Sequence, residues 1–205
     1  MRVIAGSAKG RPLIVPKGQA VRPTSDKVKG AIFSMLESLL VSLVPDEEEL
    51  SPFEVWPGLV MLDLYSGTGA LAIEALSRGA EWVDMVEGNA EACRVIRSNV
   101  AATGFQNRSR LLCMPVQNAL AGDSRHLRPD GYDIIALDPP YADTATEQVM
   151  LRLATSAATR PGSVVVLEHS RRVSFAEAYG GLIRVKEKRH GDTVVALYLN
   201  EEDTP

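Results

Sequence analysis

An α/β fold built on a mostly parallel sheet of seven strands is predicted for this 205-residue chain. Three observations predict it. From residue 59 onward, short continuous apolar runs alternate with amphipathic stretches of helical spacing, as in buried strands with helices on both faces. Glycines stand at the first strand-to-helix turn, in "LDLYSGTGALAIEA". Near the end the rhythm breaks: "LIRVKEKRH" and "TVVALYLN" flank Gly191-Asp192, so an antiparallel hairpin closes the sheet.

The elements follow in order. "RVIAGSAKGRPLIVP" reads as a β-hairpin around Ser-Ala-Lys-Gly. A helix comes next, capped by Thr24 or Ser25, with Val28, Ile32, Met35, Leu36, Leu39 and Leu43 on one face. Residues 45–58, with three prolines and five acids before a final glycine, read as a loop. Strands are then predicted over "LVMLDLY", "EWVDMVE", "SRLLCMPV", "YDIIALD" and "SVVVLEH". Helices are predicted over "GALAIEALSR", closed by Gly79, "NAEACRVIRSNVAAT", closed by Gly104, and "ATEQVMLRLATSAAT". A short helix or turn follows "SRLLCMPV". The division expected is an extension at 1–44, an acidic loop at 45–58, a ligand-binding catalytic domain at 59–200 and a tail at 201–205.

Composition narrows the function classes. With 45% hydrophobic and 23% charged residues the chain suits one globular domain with a small appendage. No apolar run is long enough for a membrane span, and no signal-peptide pattern opens the chain, so a cytoplasmic protein is expected. Cys93 and Cys113 form no CxxC pair and are expected as buried thiols; the three histidines show no ligand spacing, so no metal is expected. A monomer is expected. The net charge of −4 conceals an asymmetry: residues 1–30 carry seven basic residues against Asp26, a net +6, so the remainder carries −10. A basic arm on an acidic body suggests a polyanion partner, though an ordinary solvated hairpin fits the charges equally.

Gly67-x-Gly69-x-x-Ala72, with Glu87 at the end of the second strand, satisfies a nucleotide-cofactor fingerprint, and Tyr65 and Ser66 complete the loop. Asp63 selects among cofactors. A pyrophosphate docked on a helix N-terminus gains little from a carboxylate beside it. S-adenosyl-L-methionine carries an ammonium and a sulfonium instead, and Glu87 can accept from both ribose hydroxyls. Asn118, after the third strand, is placed to accept from the adenine amino group. The competing readings are a strand-end cap for Asp63, a solvated charge for Glu87 and a turn residue for Asn118.

"DIIALDPPY" ends the fourth parallel strand on Asp138, Pro139, Pro140 and Tyr141. Proline fixes φ and restricts the residue before it, so this edge is stiff. An exocyclic amine is a poor nucleophile because its lone pair is delocalised into the ring. The Asp138 carboxylate and the Pro139 carbonyl can accept its two N–H bonds and turn the lone pair toward a sulfonium methyl, while Tyr141 stacks on the base.

The motif is similar to the [DN]PP[YF] motif of amino-methyltransferases, and the order of "LDLYSGTGALAIEALSRGA", "VEGNAEACRVIRSN" and "DIIALDPPY" resembles Rossmann-like class I S-adenosylmethionine-dependent methyltransferases. "GSAKGRPLIVP", "RPTSDKVKGAIFSML" and "KRHGDTVVALYL" look like the bacterial family that methylates guanine N2 in 16S ribosomal RNA, across nearly the whole chain. The resemblance implies that Asp63, Gly67, Gly69 and Glu87 bind the cofactor, that residues 138–141 form the catalytic loop, and that the partner is 16S rRNA of the small ribosomal subunit. The departures are Gly-Asn after Glu87 and a longer, more acidic 45–58 segment. On this reading the 2–15 hairpin and Arg22 hold phosphates, with Lys9 and Arg11 flanking the way to Asp138; Lys186, Lys188 and Arg189 extend the patch or form a solvated face. The alternatives are an adenine-N6 methyltransferase, a glutamine methyltransferase, a nicotinamide oxidoreductase and a non-catalytic RNA-binding module.

Overall fold

The computed structural model describes residues 1–15, 25–44, 51–121, 125–140 and 145–201. Helix α1 (Asp26–Ser42) begins at Ser25, whose side chain accepts from the Val28 N–H at 3.2 Å, the expected N-cap. The body then alternates β1 (Val60–Leu64), α2 (Ala70–Arg78), β2 (Trp82–Glu87), α3 (Ala90–Thr103), β3 (Ser109–Cys113), the single turn α4 (Val116–Ala119), β4 (Ile134–Leu137), α5 (Thr146–Leu153) and β5 (Val164–Ser170). It closes with β6 (Ala178–Tyr179), β7 (Leu182–His190) and β8 (Thr193–Asn200).

These strands form one eight-stranded sheet in the order β3-β2-β1-β4-β5-β8-β7-β6. The first five run parallel, and β8 returns antiparallel to β5 between it and β7. Two-residue β6 adds an eighth strand to the seven predicted; a pair this short leaves no periodicity to read. The sheet's two faces bury separate apolar clusters. Met61, Ile134, Val164 and Val166 pack with α1, α2 and α3, while Leu62, Ile135, Val165 and Leu167 pack with α4 and α5. The continuous apolar strands therefore reflect burial on both sides. No helix among the described residues is long and apolar enough to cross a membrane.

Helix α5 stops at Leu153, six residues short of its predicted end. The hydroxyls of Thr155, Ser156 and Thr159 bond back to carbonyls of residues 151–156, a local alternative to continuing the helix. Of the two cysteines, Cys93 is buried as expected, with burial first and the neighbouring Cys113 thiol second pushing its pKa to about 12. Cys113 is exposed, because β3 is the sheet's outer parallel strand.

The amino-terminal arm departs most from expectation. In place of a regular hairpin it makes one isolated antiparallel bridge, Arg2 to Pro12, supported by backbone bonds from Val3, Gly10 and Leu13. Its other donors are turned elsewhere. The N–H groups of Ile4 and Ala5 donate to the two oxygens of Glu74 at 2.7 and 2.9 Å, and Ala8 N–H donates to Ser77 Oγ at 2.9 Å. Glu74 lies on α2 with its side chain wholly buried; it also meets Lys29 at 3.3 Å and Arg78 at 3.0 Å. Arg78 in turn reaches Glu37, which accepts from Trp56. Lys29 is therefore no part of a surface patch: its side chain is fully buried, donates to the Arg2 carbonyl, and has its pKa lowered by burial despite Glu74.

Removing one partner from a buried ion pair strands the other charge, which typically costs about 3–5 kcal/mol. Glu74→Ala is expected to lose that much in urea unfolding and to expose the arm to limited proteolysis. A loss within experimental error of zero would contradict this account of the anchor.

Candidate active site

Strand order reverses between β1 and β4, so a crevice opens at their carboxyl ends. Register carries the predicted residues to it. Asp63 pairs with Met85 on one side and with Ala136 on the other. Asp138 follows Ala136 by two residues, so both carboxylates rise from the same face. Glu87 ends β2 beside β1.

The loop from Tyr65 to Gly69 is held in an unusual path. Tyr65 has φ 61°, uncommon for a residue with a side chain, and Gly67 and Gly69 have φ 55° and 75°. Ser66 fastens the turn: its N–H donates to the Val86 carbonyl at 3.1 Å, and its hydroxyl donates to the Asp63 carbonyl at 2.6 Å. Gly67 N–H donates to Glu87 Oε2 at 2.8 Å, and Asn89 N–H donates to Oε1 at 2.8 Å. Glu87 thus joins the glycine loop to the entrance of α3, which Asn89 caps.

Asp63 is only 1% exposed, and one of its oxygens accepts from Ala72 N–H at 3.3 Å, in the first turn of α2. It thereby satisfies one of the otherwise unpaired N–H groups at the start of that helix. Burial pushes its pKa up to about 8, the Ala72 bond offsets part of the shift, and the charges of Asp138 and Glu87 add to it. A buried acid faced by two further carboxylates is electrostatically prepared for a cation.

Asp138 is half-buried, Pro139 buried and Pro140 exposed at the rim; Tyr141 lies outside the described residues. Asn118 lies on α4 with its side chain exposed. Its helix adjoins Glu87: a Cβ placed on Gly88 would sit 3.6 Å from Pro115 Cα. The structure therefore gathers Asp63, Tyr65, Ser66, Gly67, Gly69, Glu87, Asp138 and Pro139 at one edge, with Asn118 on the β3 side.

The basic residues are placed differently. Arg22 lies outside the described residues. Lys9 and Arg11 are exposed, but Ala8, next to Lys9, is bound to Ser77 near the end of α2 remote from the crevice. They do not flank the way to Asp138. Met1 and Ile14 are the arm residues near the edge: Met1 Sδ lies 3.6 Å from the Thr68 hydroxyl, and Ile14 is bound through Asn99. The Asn99 side chain accepts from Ile14 N–H at 2.8 Å and donates to the Ile14 and Thr68 carbonyls at 3.0 and 2.9 Å. Asn99 was not singled out from sequence; a buried asparagine on the apolar face of "VIRSNVAAT" was the available signal. Lys186, Lys188 and Arg189 are exposed on β7, with Lys186 bonded to Ser38 of α1.

Comparison with known proteins places the chain in a family. The family model described as "Conserved hypothetical protein 95" matches residues 1–199. The chain is 32% identical to "Putative rRNA methyltransferase YlbH" of Bacillus subtilis over 97% of this chain and 98% of that one. It is 24% identical to "Ribosomal RNA small subunit methyltransferase D" of Escherichia coli K12 over 98% of this chain and 90% of that one. The solved structure "Putative methyltransferase yhhF from Escherichia coli" superposes with a TM-score of 0.77 at 23% identity, covering 98% of each chain, which shows that the two share the Rossmann-like fold. On the extent of these matches, the chain belongs to the conserved hypothetical protein 95 family, the family of the small-subunit ribosomal RNA methyltransferase D proteins.

Proposed function

We propose that this protein is an rRNA methyltransferase that moves the methyl group of S-adenosyl-L-methionine to the exocyclic N2 of a guanine in 16S rRNA of the small ribosomal subunit. The observation that carries this reading is the meeting of Asp63, the glycine loop, Glu87 and Asp138-Pro139 at one sheet edge. The relatives named above support RNA as the substrate class, and the N-terminal resemblance supports guanine N2 over adenine N6.

The residues fit the cofactor. When bound, it supplies an electrophilic methyl on a sulfonium. Asp63 would hold the ammonium of its methionine end, Glu87 would accept from the ribose hydroxyls, and Asn118 would lie on the adenine side. Tyr65, Ser66, Gly67 and Gly69 shape the backbone against it. Asp138 and the Pro139 carbonyl would hold the two hydrogens of the guanine amine and so free its lone pair for the methyl that the cofactor would supply. The cofactor would be left as a neutral thioether, and the proton that the alkylated nitrogen sheds would pass to the Asp138 carboxylate. Pro140 stiffens the loop, and Tyr141 stacks on the extruded base.

RNA binding is assigned to the exposed cations Lys9 and Arg11, with Arg22. Phosphate contacts some distance from the target base suit the positions of Lys9 and Arg11, since such contacts position without reading sequence. The basic residues of β7 join them on the same argument.

The function is tested by labelled methyl transfer into small-subunit particles and naked 16S RNA from cells lacking the protein, followed by nucleoside analysis. Label in N2-methylguanosine is expected. Label in N6-methyladenosine, or none in RNA, would overturn the assignment.

A second prediction concerns protons. At pH 6–7 Asp63 is mostly protonated in the free protein, while the ligand's ammonium remains charged. Binding a cation there requires Asp63 to ionise. Calorimetry in buffers of different ionisation enthalpy is expected to show close to one proton released, with affinity rising about tenfold per pH unit over this window. Asp63→Asn is expected to abolish the release; its absence in the unmutated protein would contradict the role of Asp63.

A further inference from the structure

One buried group beside the catalytic loop has no part in the chemistry above. Strand β5 runs parallel to β4 with Leu137 paired to Leu167, which brings His169 level with Pro139 at the carboxyl edge. Pro139, Pro140, His169, Ser170, Val173 and Phe175 line a small recess of about 20 Å³, room for about one water. His169 is 6% exposed, and its ring meets Phe175 edge-on at 4.9 Å between centroids. Its Nδ1 lies 2.9 Å from the Ser170 carbonyl. A carbonyl can only accept, so Nδ1 carries the hydrogen and Nε2 presents a lone pair. That Nε2 is buried and has no hydrogen-bond partner among the described residues. Orphaned buried acceptors are rare because the lost hydration is not recovered, so the position is prepared for a donor that arrives with a ligand.

We propose that His169 Nε2 accepts the N1–H of the target guanine and thereby selects guanine. The proposal rests on the reading of guanine N2 as the methylated atom. With N2 held by Asp138 and the Pro139 carbonyl, the neighbouring N1–H is the next donor on the same base edge, and His169 stands beside Pro139. Adenine presents a lone pair at N1, which would face the lone pair of Nε2. The arrangement therefore favours guanine twice, by a bond made and by a repulsion avoided. Nε2 is covered in the base-free protein. Val173 and Phe175, from the turn-and-bend segment at 171–177, have to give way as the base enters.

The test uses 2-aminopurine, which keeps the 2-amino group but has no hydrogen on N1. Reconstituted small-subunit particles carry either guanine or 2-aminopurine at the methylated position, and their affinities are measured with S-adenosylhomocysteine present. The unmutated protein is expected to prefer guanine by about tenfold. His169→Phe, which keeps a ring against Phe175, is expected to bring the preference to about one by weakening guanine alone. His169→Gln, whose side-chain oxygen can accept, is expected to retain most of it, and S-adenosylhomocysteine affinity should be unchanged in both variants. The same preference in His169→Phe as in the unmutated protein, or no preference in the latter, would overturn the proposal. Methyl transfer by the unmutated protein is measured alongside; its failure to modify guanine would overturn the parent reading, and this one with it.

Discussion

The buried carboxylate of Glu74 is the constraint on which the rest of the molecule depends. It sits on α2, the helix that begins at the glycine loop, and it is wholly enclosed with Lys29 of α1, Arg78 of its own helix and two backbone donors of the arm. A charge in that position is tolerable only when every oxygen is occupied. The arm, α1 and α2 must therefore assemble together. Asn99 then fixes the returning end of the arm to Thr68 in the glycine loop. The surface proposed to meet RNA and the loop proposed to hold the cofactor are built as one packed unit.

At the opposite end of α2 the electrostatics are reversed. Asp63, Glu87 and Asp138 converge there; burial raises Asp63 to about 8, and the charges of the other two carboxylates add to the shift. Such an edge repels phosphates and favours a cation, which distinguishes it from nucleotide sites of the same topology. The Glu87 carboxylate already accepts from Gly67 and Asn89, so the loop is preorganised before any ligand arrives. A fixed loop and stiff prolines suit a reaction whose demand is alignment.

What the sequence disclosed follows from what is local. Parallel strands buried on both faces are continuous apolar runs, and the Ser25 cap and the glycines at 79 and 104 marked helix ends that the structure reproduces. The site residues on the sheet edge were legible because each ends a strand. What was hidden depends on partners far along the chain. Glu74 meets residues about 70 positions away, and Asn99 meets Ile14 across 85. Nothing near either residue encodes those partners. Lys29 read as surface charge for the same reason, and the arm read as a hairpin because the destination of its backbone donors was invisible. His169 looked like one of three scattered histidines until the β4–β5 register set it beside Pro139.

The central claim is that Asp138 holds the accepting amine in line for transfer, and substituting that residue tests it most directly. Single-turnover methyl transfer would be measured for Asp138→Ala beside S-adenosylhomocysteine affinity. The account predicts a fall in transfer of about 100- to 1000-fold, the scale of losing one preorganised acceptor, with the ligand still bound. Transfer at the unmutated rate would contradict it.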